Sequence, residues 1–143
     1  MAPNKKNKKK APNWNTGKVA VAKPKEYEYF LMLEKEADVT TVIDALKEKQ
    51  MPGLDVWPSM GVFLIELSGN NNQVEFEQLN IEETFAHPSD HAFVRNRNIH
   101  TVYNFIATEE QIEQLKPYFK EIVALFGGFA CMDSEDFQPT VEL

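Results

Sequence analysis

Two histidines and an aspartate, His87, Asp90 and His91, lie within one short segment in the second half of the chain. Imidazole nitrogens and carboxylate oxygens can bind transition metals, and the same groups can act in general acid and base catalysis. A third imidazole, His100, follows along the chain and could lie near them in the fold. The spacing matches no established zinc motif, and Pro88 argues against His87 and His91 sharing one helical face. We therefore favour ordinary loop side chains over a metal site, and we expect no cofactor.

Acidic side chains cluster at two further places in the sequence. The clusters are Glu109, Glu110 and Glu113, and then Asp133, Glu135 and Asp136. The first cluster stands at the start of a predicted helix, where carboxylates interact favourably with the positive end of the helix dipole. The second could coordinate calcium, but it lacks the glycine and the ligand spacing of an EF-hand loop. Both clusters are interpreted as solvated charge and as candidate positions of an acidic binding surface.

The only cysteine, Cys131, lies in the apolar run 128–132, which is typical of a strand. A lone cysteine cannot form an internal disulfide, and no recognisable motif places a histidine or asparagine beside it. Cys131 is therefore predicted to be a small buried core residue and not a nucleophile.

Charge divides the chain into two parts. Residues 1–25 contain eight lysines and no acid, whereas residues 26–143 contain seven basic side chains against 22 acidic ones, a formal charge of −15. Low apolar content predicts a disordered basic tail at 1–25, and the remainder is long enough for one acidic domain at 26–143. The domain has no apolar run of about 18 residues, and no apolar stretch follows the first lysines, so neither a membrane span nor a signal peptide is predicted. We expect a cytoplasmic protein.

The tail contains a dense basic cluster. Its lysines are Lys5, Lys6, Lys8, Lys9 and Lys10. Such a cluster could bind nucleic acid through counterion release, could act as a solubilising leader, or could rest on the acidic domain of the same chain. The leader is the interpretation that we rank first.

Apolar periodicity and capping signals predict the elements that must position these groups. Strands are predicted at 27–33, 54–57, 62–67, 74–79, 99–107 and 129–132, and helices at about 39–49 and 109–126. Pro117 predicts a kink in the second helix or its division into two. Residues 80–98 show the least regular pattern and are predicted to be an irregular binding loop.

Residues 27–57 and 101–132 share one plan: an aromatic strand, a polar cap, an amphipathic helix, glycine and a short strand. Two such β-α-β halves predict an α+β fold that resembles a ferredoxin-like sandwich, with an antiparallel sheet and two helices on one face. Residues 68–98 would then be an extra strand or loop insertion. The alternative is another α+β fold in which the strand 74–79 lies at a sheet edge.

Three function classes follow from these observations. The acidic domain favours a non-enzymatic interaction protein, such as an inhibitor or immunity-type protein, that binds a basic protein partner. The histidines of the 80–100 loop are compatible with a small-molecule or metal-dependent enzyme. A nucleic-acid-associated factor would depend on the lysine-rich tail alone. The sequence predicts no membrane partner and leaves the oligomeric state undefined.

Overall fold

The computed structural model describes residues 24–143, so the tail lysines from Lys5 to Lys23 lie outside the described range. The described chain is a six-stranded antiparallel sheet with four α-helices, which confirms the predicted α+β class. The strands are β1 (Glu26–Leu33), β2 (Leu54–Trp57), β3 (Val62–Glu66), β4 (Gln73–Leu79), β5 (Thr101–Thr108) and β6 (Gly128–Met132). The helices are α1 (Val39–Glu48), α2 (Ile81–Thr84), α3 (Pro88–Asn96) and α4 (Glu109–Phe126).

The strand order is β2-β3-β4-β5-β1-β6, and every neighbouring pair is antiparallel. The longest pairing joins β1 to β5, from Glu26 opposite Thr108 to Leu33 opposite Thr101. Strand β4 lies between β3 and β5, so the alternative that placed residues 74–79 at an edge is wrong. Its alternating apolar side chains, Val74 and Phe76, are buried on one face.

Helices α1 and α4 cover one face of the sheet and form the main core with it. The apolar stripe of α1 is Val39, Val42, Ile43 and Leu46, and that of α4 is Ile112, Leu115, Tyr118, Phe119 and Ile122. These stripes arise because residues three and four apart share one side of a helix. The sheet contributes aromatic rings, among them Phe76 and Phe105. One buried polar atom is satisfied across this interface, where the Tyr103 hydroxyl donates to the Ala37 carbonyl.

Residues 80–98 are not the irregular loop that their sequence pattern predicted. They form α2 and α3, which cover part of the second sheet face and pack around Phe30, Met32 and Val102. Asn80 caps α2, since its side chain accepts a hydrogen bond from the Glu83 backbone at 2.9 Å. These helices were missed because they are short and few of their side chains are apolar, so no helical period emerges.

Helix α4 begins with the predicted capping box. The Thr108 side chain accepts from the Gln111 backbone, and the Gln111 side chain accepts from the Thr108 backbone. The helix continues through Pro117 to Phe126, so the predicted division into two helices is wrong. Its buried apolar stripe offsets the backbone hydrogen bond that proline cannot donate.

Candidate functional site

Both predicted acidic clusters lie at one end of the sheet. This is the end where β1 begins and where β5 and β6 finish, because Glu26 pairs with Thr108 and the Asp133 backbone donates to the Glu28 carbonyl at 2.9 Å. The cluster at 109–113 follows β5 on the face covered by α1 and α4, whereas the cluster at 133–136 borders the opposite face. The two clusters therefore share an end of the sheet without forming one continuous surface.

A cleft of about 860 Å³ opens beside the second cluster, between α3 and the segment that follows β6. Three aromatic rings line its base: Phe30, Phe85 and Phe137. Its polar lining is Thr84, His87, Ser89, Asp90, Asp133, Ser134, Glu135, Asp136 and Gln138. The structure thus brings two of the three candidate metal ligands to the C-terminal acidic cluster, a juxtaposition that the sequence did not predict.

The segment after β6 is held in place by its own hydrogen bonds. The Ser134 hydroxyl donates to the Gln138 carbonyl at 2.7 Å and accepts from the Gln138 backbone at 3.0 Å. Phe137 anchors the segment, since its ring is only 5% exposed and stacks on Phe93 with centroids 4.3 Å apart. The carboxylates of this segment are therefore presented from an ordered turn.

The surroundings of Asp133 disfavour the charged form of its carboxylate. Partial burial raises its pKa first, followed by the charge of Glu28, a side-chain hydrogen bond with Glu28 and the charge of Asp90. An aspartate whose folded-state pKa is raised contributes stability only at low pH, and that contribution is lost as the pH rises through its folded pKa. Within residues 24–143, none of the three ion pairs involves these carboxylates. The raised pKa means that the charged form of Asp133 is less stable in this environment than in water.

The three histidines point to different partners. His87 is the N-cap of α3, and its Nδ1 lies 2.8 Å from the Ser89 hydroxyl. His91 pairs with Glu82 at 3.3 Å, beside a separate hollow of about 530 Å³. His100 contacts the Glu34 carbonyl through Nδ1 at 2.7 Å. Each histidine has a local structural partner.

The candidate metal ligands His87, Asp90 and His91 all lie at the start of α3, but they do not form a ligand set. Pro88 occupies the first turn of this helix, where its fixed φ angle favours helix initiation. His87 lines the large cleft, while His91 lines the other hollow. Over residues 24–143, no group of three or more His, Cys, Asp or Glu side chains is arranged to hold a metal ion.

Cys131 is fully buried and free, as the sequence predicted. Burial, with a further contribution from the charge of Asp133, raises the pKa of its thiol to about 12. The thiol is therefore protonated at neutral pH and unsuited to nucleophilic chemistry.

The α4 cluster is partly engaged within the fold. Glu109 and Glu110 occupy the first turn, where the helix dipole favours them, and Glu113 forms an ion pair with Lys116 at 2.8 Å. Burial first, and then the charge of Glu109, raises the pKa of Tyr29 beneath this turn. Two acids of the cleft have local explanations as well, since Asp136 accepts from the Ser134 hydroxyl at 3.1 Å and Asp90 occupies the first turn of α3.

Sequence reasoning missed the aromatic base of the cleft. Phe85 and Phe137 are isolated apolar residues in polar segments, and that isolation was the only available signal. Each ring packs against Phe30 of β1, so the base forms only when both segments fold back onto the sheet.

Comparison with known proteins does not assign this chain to a family. No protein-family model, curated protein or solved structure matched it. Within the described residues, no helix has the length and apolar composition needed to cross a membrane. The function is therefore inferred from the geometry of the site.

Proposed function

We propose that this protein is a non-enzymatic interaction module whose acidic surface binds a basic protein partner, in the manner of inhibitors and immunity-type proteins. The observation that carries the proposal is the presence of Asp90 and Asp133 in the lining of one cleft, with Glu28 beside Asp133 and a raised pKa on Asp133. Like charges that repel one another in the free protein are relieved when a cation enters between them. The arrangement favours a cationic ligand over a neutral or anionic one.

The cleft suits a lysine or arginine side chain of such a partner. Its aromatic base, Phe30, Phe85 and Phe137, offers apolar contact to the aliphatic stem, and its acidic rim offers acceptors to the charged head. A charge-assisted hydrogen bond of this kind contributes about 1.5–3 kcal/mol. The α4 cluster, Glu109 and Glu110 above all, would add to long-range attraction during encounter.

The two other function classes have less support. An enzyme that used the histidines would need them in one site, whereas His87 caps α3 and lines the large cleft, and His91 lies beside Glu82 in the other hollow. Nucleic-acid binding would depend on the tail lysines, which lie outside the described residues, because a domain of charge −15 repels phosphate.

We also infer that the fold is a ferredoxin-like variant of a cytoplasmic protein. Strands β4, β5, β1 and β6 with helices α1 and α4 would be the shared core, and the β2–β3 hairpin would extend the sheet at the β4 side. The strand order and the placement of both helices on one face support this inference. A buried, free Cys131 is compatible with a reducing compartment.

Neutralising the cleft is expected to weaken binding of a basic partner. The full-length variant would carry Asp133→Asn, Glu135→Gln and Asp136→Asn, which remove charge while keeping side-chain shape and acceptors. Affinity for a fluorescent lysine- and arginine-rich peptide, measured by anisotropy, should fall by roughly tenfold or more, about 1.4 kcal/mol or more.

The matched control removes the same charge elsewhere, through Glu36→Gln, Asp44→Asn and Glu48→Gln, whose side chains are exposed outside the cleft. It should change affinity by less than about threefold, since distant exposed charges are screened by salt. Equal losses in both variants would show that overall charge, and not the cleft, determines binding.

A further inference from the structure

The second face of the sheet is only partly covered by helices within the described chain. Helices α2 and α3 pack over Phe30, Met32 and Val102, on the side of the sheet where β6 lies. On the same face, towards β2, Trp57 of β2 and Ile106 of β5 remain 38% and 48% exposed. This uncovered area, formed by β2, β3, β4 and the neighbouring ends of β5 and β1, is called the open sheet face below.

Every acidic side chain of the six strands points to this face. The residues are Glu26, Glu28, Asp55, Glu66, Glu75 and Glu77, and all six are exposed. Successive strand residues point to opposite faces, and the neighbours of these acids, such as Phe76 and Ile65, belong to the core beneath α1 and α4. The six strands contain no lysine or arginine. The open sheet face is thus acidic without a basic side chain from any strand.

Apolar side chains alternate with these acids across the strands. Leu64 lies between Asp55 of β2 and Glu75 of β4 in the strand register. Val62 is likewise flanked by Glu77, and Ile106 lies opposite Glu28. The Cβ atoms of directly opposite residues on neighbouring strands lie about 5 Å apart, so each of these apolar side chains is adjacent to an acidic one.

Val62 and Leu64 are buried, so Trp57 and Ile106 supply the exposed apolar surface of this face. Exposed apolar groups gain nothing from hydration, and these two are unfavourable on a face that meets only water. None of the three ion pairs of residues 24–143 includes a strand acid. A ligand that supplies both positive charge and apolar surface would complement the whole face.

We infer that the open sheet face is the docking surface for a cationic amphipathic segment of the basic partner. This inference rests on the proposed function. Lysine or arginine side chains of that segment would meet Glu75, Glu77 and Asp55, while its apolar side chains would contact Trp57 and Ile106. Charge complementarity favours this occupant over a second copy of this face or a nucleic-acid strand, since either would bring further negative charge against it.

The open sheet face is continuous with the cleft. Glu28 lies opposite Ile106 in the register, and its carbonyl accepts a hydrogen bond from the backbone of Asp133, which lines the cleft. One extended cationic segment can therefore lie across the sheet and place a basic side chain in the cleft. The sheet face would select amphipathic character, and the cleft would select a single basic side chain.

Trp57 provides a direct reporter of this docking. The chain contains two tryptophans, Trp14 and Trp57, so the full-length Trp14→Phe variant emits from Trp57 alone. A lysine–leucine peptide should shift the Trp57 emission maximum to shorter wavelength, because leucine side chains exclude water from the indole. A lysine–serine peptide of equal charge should bind more weakly and shift it less.

Two substitutions separate the charged and apolar contributions. Glu75→Gln with Glu77→Gln should weaken both peptides by roughly tenfold, since both carry the same charge. Ile106→Thr keeps a β-branched side chain and should weaken only the lysine–leucine peptide, by about threefold, through lost apolar contact. Circular dichroism and thermal unfolding of each variant would verify that the sheet is intact.

Three outcomes would decide between the surfaces. In the first outcome, peptide binding leaves Trp57 emission unchanged, is lost in the cleft variant and is retained in the variant with Glu75→Gln and Glu77→Gln. This result would overturn the sheet-face inference and leave the proposed function standing. Failure of the wild-type chain to bind either peptide at low salt would overturn both. Loss of affinity in the sheet variant with a Trp57 shift in the wild type would support both.

Discussion

Replacing Phe76 with alanine should lower the free energy of unfolding by about 4 kcal/mol. Phe76 is fully buried on β4, and its ring lies 4.6 Å from both Phe63 and Phe105 and 6.1 Å from Phe119 between centroids. Deletion of the ring leaves a cavity where β3, β4, β5 and α4 meet, and the rigid sheet cannot close it. For a domain of this size the melting temperature should fall by about 12 °C.

The matched control is Leu125→Ala on the outer side of α4, where the side chain is 42% exposed. This change should stay within about 0.5 kcal/mol, since little surface is buried there. Chemical denaturation followed by circular dichroism would measure both variants. A loss below about 1.5 kcal/mol for Phe76→Ala would contradict the aromatic core described here.

The second large effect is expected at Gly128, the first residue of β6. Its φ angle is +118°, and a Cβ atom placed there would overlap the Met32 carbonyl oxygen and lie 2.9 Å from Leu33 Cα. Both contacts are with the backbone of β1, so no side chain can move aside. Gly128→Ala should therefore force β6 away from β1 and lower stability by at least about 3 kcal/mol.

Gly61→Ala separates backbone strain from this steric overlap. Gly61 also has a positive φ angle, +65°, but a Cβ atom there would meet nothing within 4 Å. Its substitution should lower stability by only about 1–2 kcal/mol. Similar losses at Gly61 and Gly128 in urea denaturation would show that β6 does not approach β1 as closely as described.

Local patterns predicted the main elements of the fold well. Alternation of apolar and polar residues marked β4, and the helical spacing of Val39, Val42, Ile43 and Leu46 marked α1. The capping box at Thr108 marked the beginning of α4. These signals succeed because each depends on residues close in sequence whose side chains face one common core.

The segment 80–98 and the cleft could not be predicted in the same way. Helices α2 and α3 depend on docking against Phe30 and Met32, which lie more than 40 residues away in the chain. Their own apolar content is low, so tertiary contact determines their conformation. The cleft needs this docking and the return of Phe137 to the same face.

The number of acidic side chains in the domain is evident from the sequence, but their positions on its surface are not. The clusters at 109–113 and 133–136 were visible because their acids are adjacent in sequence. The acids of the open sheet face are spread over four strands, with Glu28, Asp55, Glu66 and Glu75 far apart along the chain. Only the strand register places them on one surface.

The salt dependence of association shows whether the acidic surface of this protein attracts a basic partner. The rate constant for full-length protein and a lysine- and arginine-rich peptide would be measured by stopped flow from low to physiological ionic strength. We expect the association rate to fall by roughly tenfold or more while dissociation changes little, because steering acts during encounter. A variant lacking the charges of Asp133, Glu135, Glu75 and Glu77 should associate slowly with a shallow salt dependence. An equal rate and an equal salt dependence in this variant and the wild type would contradict the account.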